Sequence, residues 1–126
     1  MAGIKGNDFS SPDGVMTFEK TEMKVANLGN VKVARVVIQP GWSWSSCIKP
    51  AAGTESCGNR HVGVVASGCM VATHDDGTEM KLCEGDAYVI EPGHDGWVEG
   101  DEAAILYEFN TEAIEHFAEY SENLDN

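Results

Sequence analysis

Gly53-Thr54-Glu55-Ser56-Cys57-Gly58-Asn59-Arg60-His61-Val62-Gly63-Val64-Val65-Ala66-Ser67-Gly68 and Gly85-Asp86-Ala87-Tyr88-Val89-Ile90-Glu91-Pro92-Gly93-His94-Asp95-Gly96-Trp97 are the two stretches whose reading decides the fold. Each joins a polar, glycine-rich patch to a short apolar run. Between them, Cys69 to His74 and Thr78 to Cys83 read as two strands that reverse at Asp75-Asp76-Gly77. Asp-Gly is a strong hairpin signal because the tight turn needs positive φ. His61 to Ala66 and Ala87 to Glu91 are predicted strands, the second stopped by Pro92-Gly93.

Working outward, the same short-strand rhythm continues. Asp95 to Val98 and Ala103 to Phe109 follow, joined at Glu99-Gly100-Asp101-Glu102. Upstream, Val31 to Gln39 alternates with a β-branched excess, and Val15 to Val25 alternates Met16, Phe18, Met23 and Val25 with charged residues. The Val15 to Val25 strands are expected at a sheet margin. Trp42-Ser43-Trp44 reads as extended chain, which places both indoles on one face, in the core or on a pocket wall. Lys49 to Gly53 reads as a loop. Short strands separated by Gly-rich turns predict an all-β sandwich or barrel.

The ends read differently. Residues 1–14 form a predicted mobile arm, 15–109 the β-barrel, and 111–124 a C-terminal helix, all in one domain spanning 1–126. In that helix Ile114, Phe117, Ala118 and Leu124 fall near one face, with Glu112 suited to the first turn. Its apolar stripe is expected on the barrel exterior, contributing stability and no chemistry.

A net charge of -13 without a basic patch argues against nucleic acid and anionic membranes as partners. No apolar run is long enough to span a bilayer, and the first residues lack an apolar signal core, so a cytoplasmic address is expected. In that setting Cys69 and Cys83 read as small buried hydrophobes in apolar strands. Cys57 stands apart, in a polar segment four residues before His61.

From Val31 to Phe109 the chain resembles the small single-domain cupins. Their first motif is G-x5-H-x-H-x3-4-E-x6-G and their second G-x5-P-x-G-x2-H-x3-N. Gly68, Gly85-Asp86 and Gly93 stand at the expected glycine positions. The resemblance implies a cupin-type double-stranded β-helix, or jelly-roll barrel, followed by the short helix. The ligand positions depart: His61 takes the place of the family's Glu, Cys57 and Glu55 take those of its two His, and Gly96 that of the last His, with His94 two residues before it. The chain also resembles a subgroup of small cupins that carry Cys-x-x-x-His and Pro-Gly-His-Asp.

Glu55, Cys57, His61 and His94 are therefore the candidate ligands for a divalent metal ion. Imidazole and thiolate together suit Zn or Fe(II). An extended backbone would turn Glu55, Cys57 and His61 the same way by parity, with Glu91 and Asp95 as reserve carboxylates. Trp42, Trp44 and Trp97 are candidates for the wall of a small-molecule pocket. His74 and His116 read as solvated, and a Cys57–His61 nucleophilic pair lacks an identifiable orienting group. Catalytic residues are not assigned.

Three functions fit these residues. One is a metal-dependent oxygenase or lyase/isomerase acting on a small polar molecule. Another is a non-catalytic binding or sensing module. The third is a metal-free isomerase or epimerase using His61 or His94 as general base. A homodimer is expected, with the Val15 to Val25 strands near its interface.

Overall fold

A computed structural model describes residues 3–124. Among the described residues, nine strands and three helices follow one another as β1 (Gly14–Phe18), β2 (Thr21–Asn27), β3 (Lys32–Ile38), α1 (Trp44–Cys47), α2 (Lys49–Ala52), β4 (His61–Ser67), β5 (Cys69–His74), β6 (Glu79–Cys83), β7 (Ala87–Ile90), β8 (His94–Val98), β9 (Ala104–Glu108) and α3 (Thr111–Leu124). Met1, Ala2 and the side chain of Leu124 lie outside the described residues.

The strands form two antiparallel sheets. One has the order β1-β2-β3-β9-β4-β7 and the other β6-β5-β8. Alternation decides which side chains enter the space between them. On β3 it sends Ala34, Val36 and Ile38 inward, on β9 Ala104 and Leu106, and on β2 Met23 and Val25. These close-packed residues, with Met70, Leu82 and Val98 from the smaller sheet, make one continuous core. This is the all-β cupin-type barrel with a short C-terminal helix that the motif glycines imply. β1 lies on the sheet margin, where the Val15 to Val25 strands are expected, with β2 next to it. Gly68, between β4 and β5, takes φ 73°, and a Cβ there would strike the Ala103 carbonyl oxygen, so glycine is required at this crossing.

Three local expectations are corrected. Trp44 opens a short helix instead of continuing a strand; Ser43 caps it by accepting the Ser46 N–H on its side chain. Lys49–Ala52 is a second helical turn, with Pro50 in its first turn and a left-handed Gly53 ending it. Cys69 and Cys83 are joined by a disulfide. Strand register places them directly opposite each other on β5 and β6, a proximity that their apolar neighbours in the sequence do not reveal. Such bonds are rare in cytoplasmic proteins.

Helix α3 packs against β1, β3 and α2. Ala113, Ile114 and Phe117 form its buried stripe. Among the described residues, no helix is long and apolar enough to cross a membrane.

Candidate metal centre

His61 is the first residue of β4, and its side chain turns inward with Gly63 and Val65. Its Nδ1 lies 2.7 Å from Oε1 of Glu108, the last residue of β9. Glu108 is buried, and its other oxygen accepts the Tyr88 hydroxyl at 2.6 Å. Strand register explains this second bond. Glu108, Gly63 and Tyr88 form one row across β9, β4 and β7. A Cβ on Gly63 would collide with the Tyr107 carbonyl oxygen and lie 2.7 Å from the Tyr88 hydroxyl. The missing side chain thus lets Tyr88 reach over β4 to Glu108.

His94 begins β8, just beyond the Pro92-Gly93 turn. Its Nδ1 donates to the Glu91 carbonyl oxygen at 2.7 Å. Cys57 lies in the irregular segment before β4 and is stitched to this turn by two backbone bonds. Its N–H donates to the His94 carbonyl and its carbonyl accepts from the Gly93 N–H, both at 2.8 Å. The Cys57 sulfur then sits 3.5 Å from His61 Nε2. The two imidazole rings meet edge-on, with centroids 5.0 Å apart. Sγ of Cys57 and one ring nitrogen of each histidine all lie within 4.8 Å of one another.

The hydrogen bonds select which nitrogens point at the sulfur. A carboxylate and a carbonyl accept only, so both Nδ1 atoms carry protons. The Nε2 atoms of the neutral rings are left with their lone pairs free. Metal-binding histidines are held in this way by a carboxylate or carbonyl on the far nitrogen.

Electrostatics tie the group together. For Cys57, burial alone would push the thiol up, but hydrogen bonds and charge from His61 and His94 outweigh it and bring it down to about 6. For His61, burial opposes the imidazolium, but the Glu108 carboxylate and the Cys57 sulfur push it up to about 10. Glu108 is likewise lowered: burial raises it, and the His61 charge more than compensates. Without a metal the cluster is therefore a thiolate–imidazolium–carboxylate chain at neutral pH. Burial and the Glu108 charge raise Tyr88, which stays a neutral donor.

A cavity of about 60 Å³ opens beside His61 and His94. Trp42, Trp44, Met23, Val36, Ile38 and Leu106 supply much of its apolar wall. Phe117 of α3 also lines it, its ring centroid 5.7 Å from that of His61. The helix packs its apolar stripe on the barrel, and through Phe117 it also reaches the cavity wall. Asn59 extends the link. It donates to Tyr120 Oη at 3.1 Å, lies 3.8 Å from the Cys57 sulfur, and accepts from His116 Nδ1.

Cys57, His61 and His94 converge, whereas Glu55 does not join them. The Glu55 side chain is 99% exposed and pairs with Lys49 at 3.3 Å. The left-handed Gly53 and the irregular chain after it break the parity on which its inward direction depended. Trp42 and Trp44 line the cavity, Trp44 from a helix. Trp97 faces away: on β8 the residues His94, Gly96 and Val98 are buried, and the Trp97 N–H is 3.4 Å from Glu99 on the surface. Glu91 pairs with Arg60 on the exterior, and Asp95 accepts the Ser45 and Gly96 N–H groups. His74 is engaged, not merely solvated, with Nε2 donating to the Pro92 carbonyl.

Glu108, Tyr88, Asn59 and Phe117 were missed from sequence. Glu108 did leave a signal: it shares the inward phase of Ala104 and Leu106, and an acid on a buried strand face needs a partner.

No family model and no curated protein matches the sequence. Solved structures do match the fold. A cupin-like protein from Thermotoga maritima is 18% identical with TM-score 0.52, covering 81% of this chain and 75% of its own. The Cupin_2 domain of an XRE family transcriptional regulator from Enterobacter cloacae is 13% identical with TM-score 0.52, covering 71% and 94%. A sugar phosphate isomerase from the cupin superfamily, from Silicibacter pomeroyi, is 18% identical with TM-score 0.53, covering 72% and 59%. The chain has the cupin fold. At these identities the likeness carries no reaction.

Proposed function

We propose that this protein is a metal-dependent cupin enzyme that holds one divalent ion, zinc or iron(II), through Cys57, His61 and His94, and acts on a small molecule in the adjoining cavity. The observation that carries this reading is the orientation of the two imidazoles. Glu108 and the Glu91 carbonyl hold the Nδ1 protons, so the Nε2 atoms face the Cys57 sulfur. Three protein ligands with one position left open is the usual composition of a catalytic zinc site.

When bound, the ion would polarise a substrate oxygen or lower the pKa of a water. The chain's own residues do the rest. Glu108 fixes the His61 ring and balances charge, Tyr88 holds Glu108, and Phe117, Trp42 and Trp44 restrict water. A zinc site fits lyase or isomerase chemistry; an iron(II) site also admits an oxygenase. The metal-free alternative with His61 as base is weakened, because His61 held at about 10 is protonated at neutral pH. A binding or sensing module would use the same ion and cavity without turnover.

The test is metal per subunit by mass spectrometry on protein purified without chelators or nickel resin. Wild type should carry about one ion. His61→Ala should lose it, and His94→Ala and Cys57→Ser should weaken it. A wild type that stays metal-free after loading with Zn²⁺ and Fe²⁺ sinks the reading. We also propose a homodimer through the β1 margin, where Val15 is 54% exposed. Light scattering that gives a monomer at tens of micromolar would refute it.

A further inference from the structure

We infer that the cavity beside His61 and His94 selects small uncharged compounds that are mostly hydrocarbon and carry a single polar atom, short-chain ketones and alcohols of roughly four to six non-hydrogen atoms being the class that fits. The inference deepens the proposed function and rests on reading this cavity as the substrate site.

The wall supplies the first reason. Met23, Val36, Ile38, Met70, Leu106 and Phe117 contribute to it, and all six are buried. They come from both sheets and from α3, where close packing is the rule. Protein interiors hold few gaps larger than a water molecule, and an apolar gap stays dry and costs stability. This one, at about 60 Å³, is larger than that, since by the same measure a water needs only about 10–15 Å³. A short aliphatic chain would restore the contacts that the wall lacks.

The charges of the lining supply the second. Glu108 and Asp95 belong to it and no Lys or Arg does, so an anion meets acids and no countercharge. An ion held by Cys57, His61 and His94 does not reverse this, because the Cys57 thiolate and Glu108 together balance two positive charges. A cation gains little either. Glu108 is taken by His61 and Tyr88. Asp95 shares the outward phase of Trp97 on β8 and accepts the Ser45 and Gly96 N–H groups. The Thr21 hydroxyl donates to the Glu19 carbonyl. The several hydroxyls of a sugar or polyol would therefore be buried without partners, at a cost that a compound with one polar atom avoids. That atom belongs on the His61–His94 side, where the ion of the proposed function would sit.

Butanone is the probe. Propionate and n-butylammonium are charged controls of the same heavy-atom count, and dihydroxyacetone is a polar ketone. In zinc-loaded wild type with ¹³C-labelled methyl groups, at neutral pH, butanone should shift the methyl resonances of Ile38, Met70 and Leu106 saturably and leave that of the exposed Met80 in place. The other three compounds should bind at least about tenfold more weakly, because a charge or hydroxyl buried without a partner costs that much or more. Val36→Phe should fill the cavity and abolish the saturable shifts. Leu106→Ala should enlarge it and raise the affinity for 2-hexanone relative to butanone by about tenfold, as two further buried methylenes imply. Wild type that shows no saturable shifts at the cavity methyls overturns the proposal. So does propionate, n-butylammonium or dihydroxyacetone binding there as tightly as butanone, and so does a folded Val36→Phe that binds butanone as wild type does. If the variants do not fold, the wild-type titrations decide alone. If wild type takes up no metal, the metal reading fails on its own. The same titrations on metal-free protein then decide the cavity: butanone shifts with the same selectivity uphold the inference, and their absence refutes it.

Discussion

Replacing Glu108 by Gln tests the central reasoning with almost no change in shape. The carboxylate accepts two short bonds, 2.7 Å from His61 Nδ1 and 2.6 Å from the Tyr88 hydroxyl. A glutamine has one acceptor oxygen and one donor NH₂. If the oxygen faces Tyr88, the NH₂ confronts the His61 Nδ1–H, donor against donor. The clash is relieved when His61 moves its proton to Nε2, which is the nitrogen that should bind the metal. Changes to groups that orient metal-binding histidines usually cost about 10- to 100-fold in metal affinity, and that is the expected loss of zinc affinity here. Losing a buried charge-assisted bond should also cost about 1.5–3 kcal/mol of stability. For a domain of this size that corresponds to a Tm lower by very roughly 5–12 °C in the metal-free protein. The assays are zinc competition against a chromophoric chelator and calorimetric melting of the metal-free form. A folded Glu108→Gln that keeps wild-type zinc affinity within about threefold, well below the expected loss, refutes the idea that Glu108 sets the His61 tautomer.

Three further outcomes follow from the same geometry. In metal-free protein, absorbance at 240 nm should rise as pH passes upward through about 6, because His61 and His94 favour the Cys57 thiolate; this step should vanish in Cys57→Ser, and a step near the ordinary thiol range instead would contradict the assignment. Gly63→Ala should destabilise by about 1–3 kcal/mol or more, as overpacking does, because the new methyl meets the Tyr107 carbonyl and the Tyr88 hydroxyl; an unchanged urea midpoint would show that the row across β9, β4 and β7 is looser than described. Glu55→Ala should leave metal content unchanged, since its side chain is 99% exposed and paired with Lys49; loss of metal in this variant would restore Glu55 to the ligand set.

Sequence by itself determined the strands, because alternation and Gly-containing turns are local signals. Val31 to Gln39, Cys69 to His74 and the Asp75-Asp76-Gly77 reversal are legible from neighbours a few residues apart. The glycines Gly68, Gly85 and Gly93 carried the likeness to the cupin motifs, and Cys57, His61 and His94 stood out as residues able to bind metal within them. The N-cap region of α3 was legible for the same local reason: Asn110 accepts the Glu112 and Ala113 N–H groups.

Tertiary structure alone decided the rest. A period of two states which face a residue takes, but not which strand lies beside it. Glu108 is 47 residues from His61 and Tyr88 is 20 residues from Glu108, so only the order β9-β4-β7 and its register bring them into one row. Register likewise set Cys69 opposite Cys83 and made a disulfide of two apparent core residues. Parity gave the wrong answer at Glu55 because it holds only where the chain is extended, and the segment between Gly53 and Arg60 is not. Trp44 reached the predicted wall by another route, through a helix whose Ser43 cap could have been read from Ser-x-x-Ser but was overridden by the two-residue pattern of the tryptophans. Phe117 entered the cavity because α3 closes over the barrel, a non-local packing choice that its own helical periodicity does not contain.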